Sequence, residues 1–241
     1  ILLFGSFLEM MDRTGALRTA IKRITMKNQN NMHLLIALLT IIMAFFGTLE
    51  GAYEEGIVYF LMFVPVILAL GLDTVTAIMI VVLGTQIGCL SSVVNPFSTG
   101  IASGIAGISA GEGMIVRLVM FVLFTGIVIF IICRYADKVK AHPEKSVQFF
   151  RRHLDVEEFP AADDEDLTLS KPQKNALIVF CLTWVIMIIG LIPWTSLNPD
   201  WTFFEDFVAF IGATPVLMQV FGVDITPFGS WYFPEIAMLV M

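Results

Sequence analysis

The sequence predicts an all-α polytopic membrane protein. This prediction rests on the high apolar content, on the grouping of the apolar residues in blocks, and on the length of two of those blocks. Hydrophobic residues make up 57% of the 241 residues and charged residues 15%, against about 45 to 50% and about 25% in soluble domains. The apolar residues come in blocks, whereas a soluble core is built from the faces of amphipathic elements. Residues 114–133 and 176–194 form blocks long enough to cross a hydrocarbon core of roughly 30 Å.

Two basic flanks indicate which parts of the chain face the cytoplasm. Residues 12–27 carry five basic residues against one acid, and residues 134–152 carry six against two. Such segments concentrate on the cytoplasmic side, so the chain between them should cross the membrane an even number of times. Seven acids lie within residues 155–166 and account for much of the net charge of −7. A run of this kind is typical of a solvated loop, and no nucleic-acid partner is predicted.

The first two apolar blocks are short. Residues 34–49 and 57–70 flank a polar stretch, and as helices they would reach roughly 24 and 21 Å, less than the hydrocarbon thickness. We therefore predict a re-entrant helical hairpin. Two short, tilted spans are the alternative, and the even number of crossings does not separate the two arrangements.

A broken transmembrane helix should follow the hairpin. The apolar block at residues 75–94 runs directly into Asn95 and Pro96 and then into an apolar tail that ends near residue 110. Pro96 lacks an amide donor and disfavours helical geometry at the residue before it. Counting the tail as a separate span would make the crossings odd, so we predict one broken helix that crosses once and returns through residues 114–133.

The chain thus divides into seven predicted segments and is expected to be a fragment, because it begins at Ile1 and ends inside an apolar run. The segments are the end of a preceding helix with a basic cytoplasmic amphipathic stretch (1–32), the hairpin (33–70), the broken helix and its return helix (71–133), a polar cytoplasmic loop (134–175), a transmembrane helix (176–194), an external or interfacial stretch (195–230) and the start of a truncated helix (231–241).

The hairpin tip and the helix break form the candidate binding site. Irregular backbone at membrane depth is tolerated only where protein or water covers it, and carboxylates at depth usually pair, titrate or bind a substrate. Carbonyls freed at a break can coordinate a cation, and nearby hydroxyls add neutral ligands. The candidate substrate- and ion-binding residues are Glu50, Gly51, Glu54 and Glu55 at the tip and Ser91, Ser92, Asn95, Pro96, Ser98 and Thr99 at the break, with Na⁺ at Ser92, Asn95 and Thr99.

Structural alternatives exist for each candidate. The tip could be exposed to water, and Asn95-Pro96 could be a simple turn between helices. Arg117 lies near a helix end, where a long side chain would reach toward the interface. Ser103 lacks the GxSxG spacing of a hydrolase and has no histidine within a span to act as its base, so no enzymatic activity is predicted. The three cysteines lack metal-ligand spacing, and neither a metal site nor a cofactor other than a coupling H⁺ or Na⁺ is predicted.

Three motifs in this order resemble the YfcC family, within the broader C4-dicarboxylate anaerobic carrier group. They are GTLEGAYEE at residues 47–55, TQIGCLSSVVNPFSTGIASGIAG at residues 85–107 and RYADKVKAHPEKS at residues 134–146. The resemblance implies a secondary carrier of the bacterial inner membrane, a homodimer with inverted repeats. The tip and the break would be one half of its site, and a second half beyond Met241 would be needed for transport.

The substrate is expected to be a small molecule, with a basic amino acid favoured. Three glutamates at the tip suit a cationic group, and no arginine or lysine is predicted at either interruption, although a dicarboxylate would require one. A carrier of C4-dicarboxylates or other carboxylates is the alternative. The rival classes are a membrane assembly or sensory protein that does not transport, and an ion channel.

Overall fold

The structure is a computed structural model that describes residues 13–28, 31–49, 51, 56–109, 111–159, 169–192, 194–213, 226–231, 235 and 238–239. Within these residues the regular structure is helical and contains no strand. The helices are α1 (Ala16–Lys27), α2 (Met32–Leu49), α3 (Gly56–Ala69), α4 (Thr74–Ser91), a π-helical turn (Pro96–Gly100), α5 (Ile101–Ala106), α6 (Met114–Ala141), α7 (Arg152–Glu158), α8 (Lys171–Leu191), α9 (Trp194–Leu197) and α10 (Phe203–Ala213), with 3₁₀ turns at Pro143–Lys145 and Phe149–Arg151.

Four helices of the described chain are long and apolar enough to cross a membrane, namely α2, α4, α6 and α8. The predicted all-helical polytopic architecture is therefore confirmed. The first hairpin arm, α2, has 18 residues and the second, α3, has 14, which correspond to roughly 27 and 21 Å. The choice between a re-entrant hairpin and two short spans stays a prediction.

The return helix α6 extends beyond the predicted span. It has 28 residues and ends at Ala141, whereas the apolar block ends at residue 133. The added turns contain Arg134, Lys138 and Lys140, which are good helix formers, and cations in the last turn interact favourably with the helix dipole. The predicted polar loop at residues 134–175 therefore begins with about two turns of helix.

The closest packing in the described chain is between α2 and α4. Gly84 and Gly88 are four residues apart and face α2 together. A Cβ atom built on Gly88 would lie 2.0 Å from the Ala44 carbonyl oxygen, and one built on Gly47 would lie 2.2 Å from the Thr85 carbonyl oxygen. The two backbones touch directly because these positions have no side chain, as in the small-residue interfaces of membrane helices.

A buried carboxylate fixes the start of the broken helix. Asp73 is 3% exposed and caps α4 by accepting hydrogen bonds from the Thr76 amide at 3.0 Å and the Thr76 hydroxyl at 2.7 Å. Its other oxygen accepts from the hydroxyls of Tyr135 at 2.6 Å and Ser146 at 2.5 Å. We call Asp73, Thr76, Tyr135 and Ser146 the Asp73 cluster, which joins α4 to α6 and to the chain after α6.

One end of the bundle brings together the starts of α2 and α4 and the end of α6. His33 Nε2 lies 2.9 Å from Asp137 Oδ1, close in sequence to Tyr135 of the Asp73 cluster. The predicted basic flank at residues 134–152 begins at this end, which is thus the end that the sequence predicts to be cytoplasmic.

Candidate functional site

The predicted break in the long apolar helix is confirmed. Helix α4 ends at Ser91, and Ser92 adopts a left-handed conformation with φ 44° and ψ 52°. Among the described residues it is the one non-glycine residue with a positive φ, a conformation that costs an L-residue roughly 1 to 2 kcal/mol. The chain resumes helical geometry in the π-helical turn at Pro96–Gly100 and continues as α5.

Asn95 organises the backbone of the break. Its side chain is buried, with 4% exposure, and its Oδ1 atom accepts hydrogen bonds from the Phe97 amide at 2.9 Å and the Ser98 amide at 3.0 Å. Its Nδ2 atom donates to the Gly47 carbonyl oxygen at 3.4 Å. Asn95 therefore supplies partners for amides that follow Pro96 and links the break to the end of α2.

Three hydroxyls converge at the break. Ser92 Oγ lies 2.6 Å from Ser98 Oγ and 2.6 Å from Thr99 Oγ1, and the Thr99 hydroxyl donates to the Ser92 carbonyl oxygen at 2.8 Å. We call Ser92, Ser98 and Thr99 the hydroxyl cluster. Its atoms satisfy one another, yet each hydroxyl oxygen keeps a lone pair that can turn toward a cation. Asn95, the remaining predicted Na⁺ ligand, is engaged by the amides of Phe97 and Ser98.

The other predicted residues have different positions. The Ser91 hydroxyl donates to the Ile87 carbonyl oxygen of its own helix at 2.6 Å. Gly51 has a φ of 98°, and its amide donates to carbonyl oxygens in the last turn of α2, as expected where a helix ends in a left-handed glycine. Pro96 opens the π-helical turn. Glu50, Glu54 and Glu55 lie outside the described residues.

The end of the first hairpin arm is held against the break. The Val93 amide donates to Thr48 Oγ1 at 2.8 Å, and Cys89 Sγ contacts the carbonyl oxygens of Gly47 at 3.3 Å and Gly51 at 3.4 Å. Together with the bond from Asn95 to Gly47, these contacts between side chains and backbone atoms hold the break against the end of α2 and Gly51.

Arg117 lies at the break, so the expectation that no basic side chain occurs at either interruption is wrong. Its Nη2 atom is 3.5 Å from the Val93 carbonyl oxygen, and its Nη1 atom donates to the Glu112 carbonyl oxygen at 2.8 Å. A signal was present in the sequence, because Arg117 is the one charge within residues 114–133. A lone ionisable residue in such a block is by default a functional candidate.

A groove of about 210 Å³ lies between α3 and α4. Its lining includes Gly56, which directly follows Glu54 and Glu55 in the sequence. Its walls are mainly apolar and include Phe60, Ile78 and Val82, with Thr85 and Gln86 as polar members. Thr85 is 2% exposed, and its hydroxyl has no hydrogen-bond partner among the described residues. A buried hydroxyl of this kind can accept or donate one more bond.

Comparisons with known proteins identify the family. The family model described as C4-dicarboxylate anaerobic carrier (DcuC) matches residues 1–241. An uncharacterized protein of Haemophilus influenzae is 29% identical over 226 residues, which are 93% of this chain and 43% of that protein. An Escherichia coli protein named "Putative basic amino acid antiporter YfcC" is 27% identical over 246 residues, which are 100% of this chain and 47% of that protein.

The chain spans about half the length of these two relatives. No solved structure matches it. Because the family match extends over the whole chain and four of the described helices have membrane-spanning length, the chain belongs to the C4-dicarboxylate anaerobic carrier family and is a multi-pass bacterial membrane protein, as its motifs predict.

Proposed function

We propose that the complete protein is a secondary active transporter whose substrate and coupling ion bind where the hairpin meets the broken helix. The observation that carries this proposal is the hydroxyl cluster, which sits on irregular backbone between two segments of an apolar helix. Broken helices of transporters bind ions and substrates through such freed carbonyls and helix ends. The family match supports a carrier.

The rival functions account for the break less well. In an assembly or sensory protein the interruption would act only as a hinge, and a hinge needs backbone partners such as Asn95 and Thr48 but no cluster of three hydroxyls. Ser98 is exposed, so the cluster is open on one side within the described chain. That opening supports access by a solute or an ion.

A basic amino acid is the substrate that we favour. The three glutamates of the tip, Glu50, Glu54 and Glu55, would attract its cationic side chain, and Arg117 beside Val93 would attract its α-carboxylate. The name of the Escherichia coli relative, which describes a basic amino acid antiporter, agrees with this choice. The proposed site thus has a negative part and a positive part, which suits a zwitterion with an additional cation.

A C4-dicarboxylate is the second candidate, and Arg117 is the observation that favours it. A guanidinium group at the break can hold a carboxylate in a two-pronged contact, and the family description refers to these substrates. The two candidates differ in what they require of the hairpin tip. A dicarboxylate would be repelled by ionised Glu54, whereas a basic amino acid would need that charge.

Thermal stabilisation of the complete protein in detergent will separate these substrates. Arginine, ornithine and C4-dicarboxylates are added singly. A ligand that binds only the folded state raises the free energy of unfolding by about 2.7 kcal/mol at a hundred times its Kd, and the melting temperature rises with it. We expect stabilisation by arginine or ornithine. Glu54→Gln should abolish it, and the matched control Glu144→Gln, placed in the turn after α6, should retain it.

Each alternative result has a defined meaning. Stabilisation by a dicarboxylate that survives Glu54→Gln but is lost in Arg117→Gln would replace the amino acid by the second candidate. A protein that transports neither class in vesicles and is stabilised by neither would contradict the carrier proposal itself.

The hydroxyl cluster should bind the coupling cation, for which we propose Na⁺. Thr99→Val keeps the size of the side chain and removes one oxygen ligand, and we expect the apparent affinity for Na⁺ to fall by about tenfold or more, the equivalent of about 1.4 kcal/mol. The measurement is the melting temperature as Na⁺ replaces K⁺ at constant ionic strength. The control is Thr183→Val, since among the described residues that hydroxyl bonds to the Val179 carbonyl oxygen of its own helix.

Proton coupling gives a different pattern. The unmodified protein would then melt at the same temperature in Na⁺ and in K⁺, and its transport rate would depend on the pH gradient. That result would remove the Na⁺ site from the proposal.

A further inference from the structure

The chain after α6 turns back to the level at which that helix leaves the apolar core. The 3₁₀ turn Pro143–Lys145 reverses its direction, and Ser146 then joins the Asp73 cluster at 2.5 Å. The next residue, Val147, donates its amide to the Tyr135 hydroxyl at 3.5 Å. Tyr135 comes two residues after Cys133, where the apolar block ends. Residues 146 and 147 are therefore at the depth of the membrane interface.

We call residues 146–154 the interfacial segment. Two further contacts fix the orientation of this segment and of helix α7, in which it ends. The Thr74 hydroxyl donates to Asp155 Oδ2 at 2.9 Å, and Asp155 is 5% exposed. Arg152 Nη2 donates to the Gly71 carbonyl oxygen at 3.0 Å. The first contact is made to the first residue of α4 and the second to the turn between α3 and α4, so the inner side of this part of the chain is polar and occupied.

The outer side of the interfacial segment is apolar. Val147 is 70% exposed, Phe149 49%, Phe150 76% and Leu154 47%. The polar contacts with Asp73, Thr74 and Gly71 hold the backbone so that these four side chains face away from the described helices. Large apolar side chains on one side of a short segment at interface depth are typical of a segment that lies in the plane of the membrane surface.

The chain that leads into the interfacial segment is basic. Residues 134–146 contain four basic side chains, all exposed, and two acids. Each acid has a histidine beside it, Asp137 at 2.9 Å from His33 and Glu144 at 3.2 Å from His142. The basic side chains are Arg134, Lys138, Lys140 and Lys145. A surplus of lysine and arginine at this depth complements the anionic headgroups of a cytoplasmic leaflet.

We propose that the interfacial segment docks into the anionic lipid headgroup layer, with Phe149 and Phe150 at the boundary of the acyl chains and the basic residues of 134–146 on the headgroups. The partner is the bilayer surface itself. Since the same segment holds Asp73 and Thr74 at the start of α4, lipid binding at this surface would also fix the end of the broken helix opposite the candidate site.

Collision measurements on a spin label test the depth of the segment. The complete protein, with its native cysteines replaced by serine, is reconstituted in vesicles of phosphatidylcholine and phosphatidylglycerol and labelled at Phe150→Cys. The matched control is labelled at Glu144→Cys, in the preceding turn. We expect the ratio of oxygen to nickel-chelate collisions to be several-fold higher at position 150 than at position 144, because oxygen concentrates in the bilayer and the chelate in water.

Two outcomes overturn the proposed depth. Equal ratios at the two positions would place Phe150 in water. A label at position 150 that neither reagent reaches would show that protein covers this side, either another part of the chain or a second copy. Size-exclusion chromatography of both labelled proteins establishes that they are folded.

Lipid composition tests the electrostatic part of the proposal. With phosphatidylglycerol present, the label at position 150 should move several-fold more slowly than in phosphatidylcholine alone. The combined substitution of Lys138, Lys140 and Lys145 by glutamine should remove this difference while the collision ratio remains high. Label mobility that does not depend on headgroup charge would overturn the role of anionic lipid.

Discussion

One methyl group added at Gly88 is expected to destabilise the protein more than any other single-atom change in the described chain. In Gly88→Ala the new Cβ would lie 2.0 Å from the Ala44 carbonyl oxygen and 2.8 Å from the Thr48 amide nitrogen. Both are backbone atoms within α2, so no side chain can rotate to make room. The helices would have to separate, and we expect the free energy of unfolding to fall by about 3 kcal/mol or more, the upper part of the range for overpacked cores.

The matched control for Gly88→Ala is Gly126→Ala. Gly126 also lies within a long apolar helix, α6, but nothing is within 4 Å of the Cβ position, so alanine should be neutral or slightly stabilising because it favours the helix. Melting followed by circular dichroism in detergent compares the two variants. Equal melting temperatures would show that α2 and α4 do not touch through these glycines.

Removal of the Asp73 carboxylate should have the second largest effect. Asp73→Ala would take away the cap of α4 and leave the hydroxyls of Tyr135 and Ser146 without their shared acceptor. A cap contributes about 1 kcal/mol and a hydrogen bond to a charged group about 1.5 to 3 kcal/mol. Since these terms overlap, we expect a loss of about 2 to 3 kcal/mol in the free energy of unfolding, measured by thermal melting in detergent.

A graded substitution distinguishes hydrogen bonding from simple loss of bulk. Asp73→Asn keeps an oxygen that can accept from Thr76 but presents an amide donor to the hydroxyls of Tyr135 and Ser146, so its stability should lie between those of the unmodified protein and Asp73→Ala. The control, Asp200→Ala, removes an exposed carboxylate and should change little. A melting temperature for Asp73→Ala equal to that of the control would contradict the cluster.

Hydropathy and local chemistry predicted most of the fold because they are properties of neighbouring residues. The blocks at residues 114–133 and 176–194 became α6 and α8, and the Asn95-Pro96 interruption became the break between α4 and α5. Both outcomes depend on lipid solvation and on the missing amide of proline, which need no knowledge of tertiary contacts. The boundaries were less accurate, as the extension of α6 to Ala141 shows, since a helix can continue into water without an apolar sequence.

The partners of individual side chains could not be predicted in the same way. The contact between Arg117 and Val93 spans 24 residues, and the one between Asp73 and Ser146 spans 73, so both exist only after the helices have packed. The sequence contained weaker indications that some of these residues have a structural role. Asp73 precedes an apolar run as a helix cap does, and the spacing of Gly84 and Gly88 is that of a helix-packing motif. Each signal indicates a role but not the partner that completes it.

The π-helical turn at Pro96–Gly100 couples the distance between the hydroxyl oxygens of the cluster to the number of residues in one turn of the helix. Its Gly100 amide bonds to the Asn95 carbonyl oxygen at 3.0 Å, five residues back, whereas an α-helical turn would bond it to Pro96, four residues back. If the Gly100 amide changed its acceptor from Asn95 to Pro96, the number of hydrogen bonds would stay the same. The chain before the turn would rotate by about 100° relative to the helix that follows, the angle of one residue in an α-helix. Ser92 and Thr99 lie on opposite sides of the Asn95 carbonyl oxygen in the chain, so tightening the turn by one residue would separate their hydroxyl oxygen atoms and take apart the cation site that we propose there.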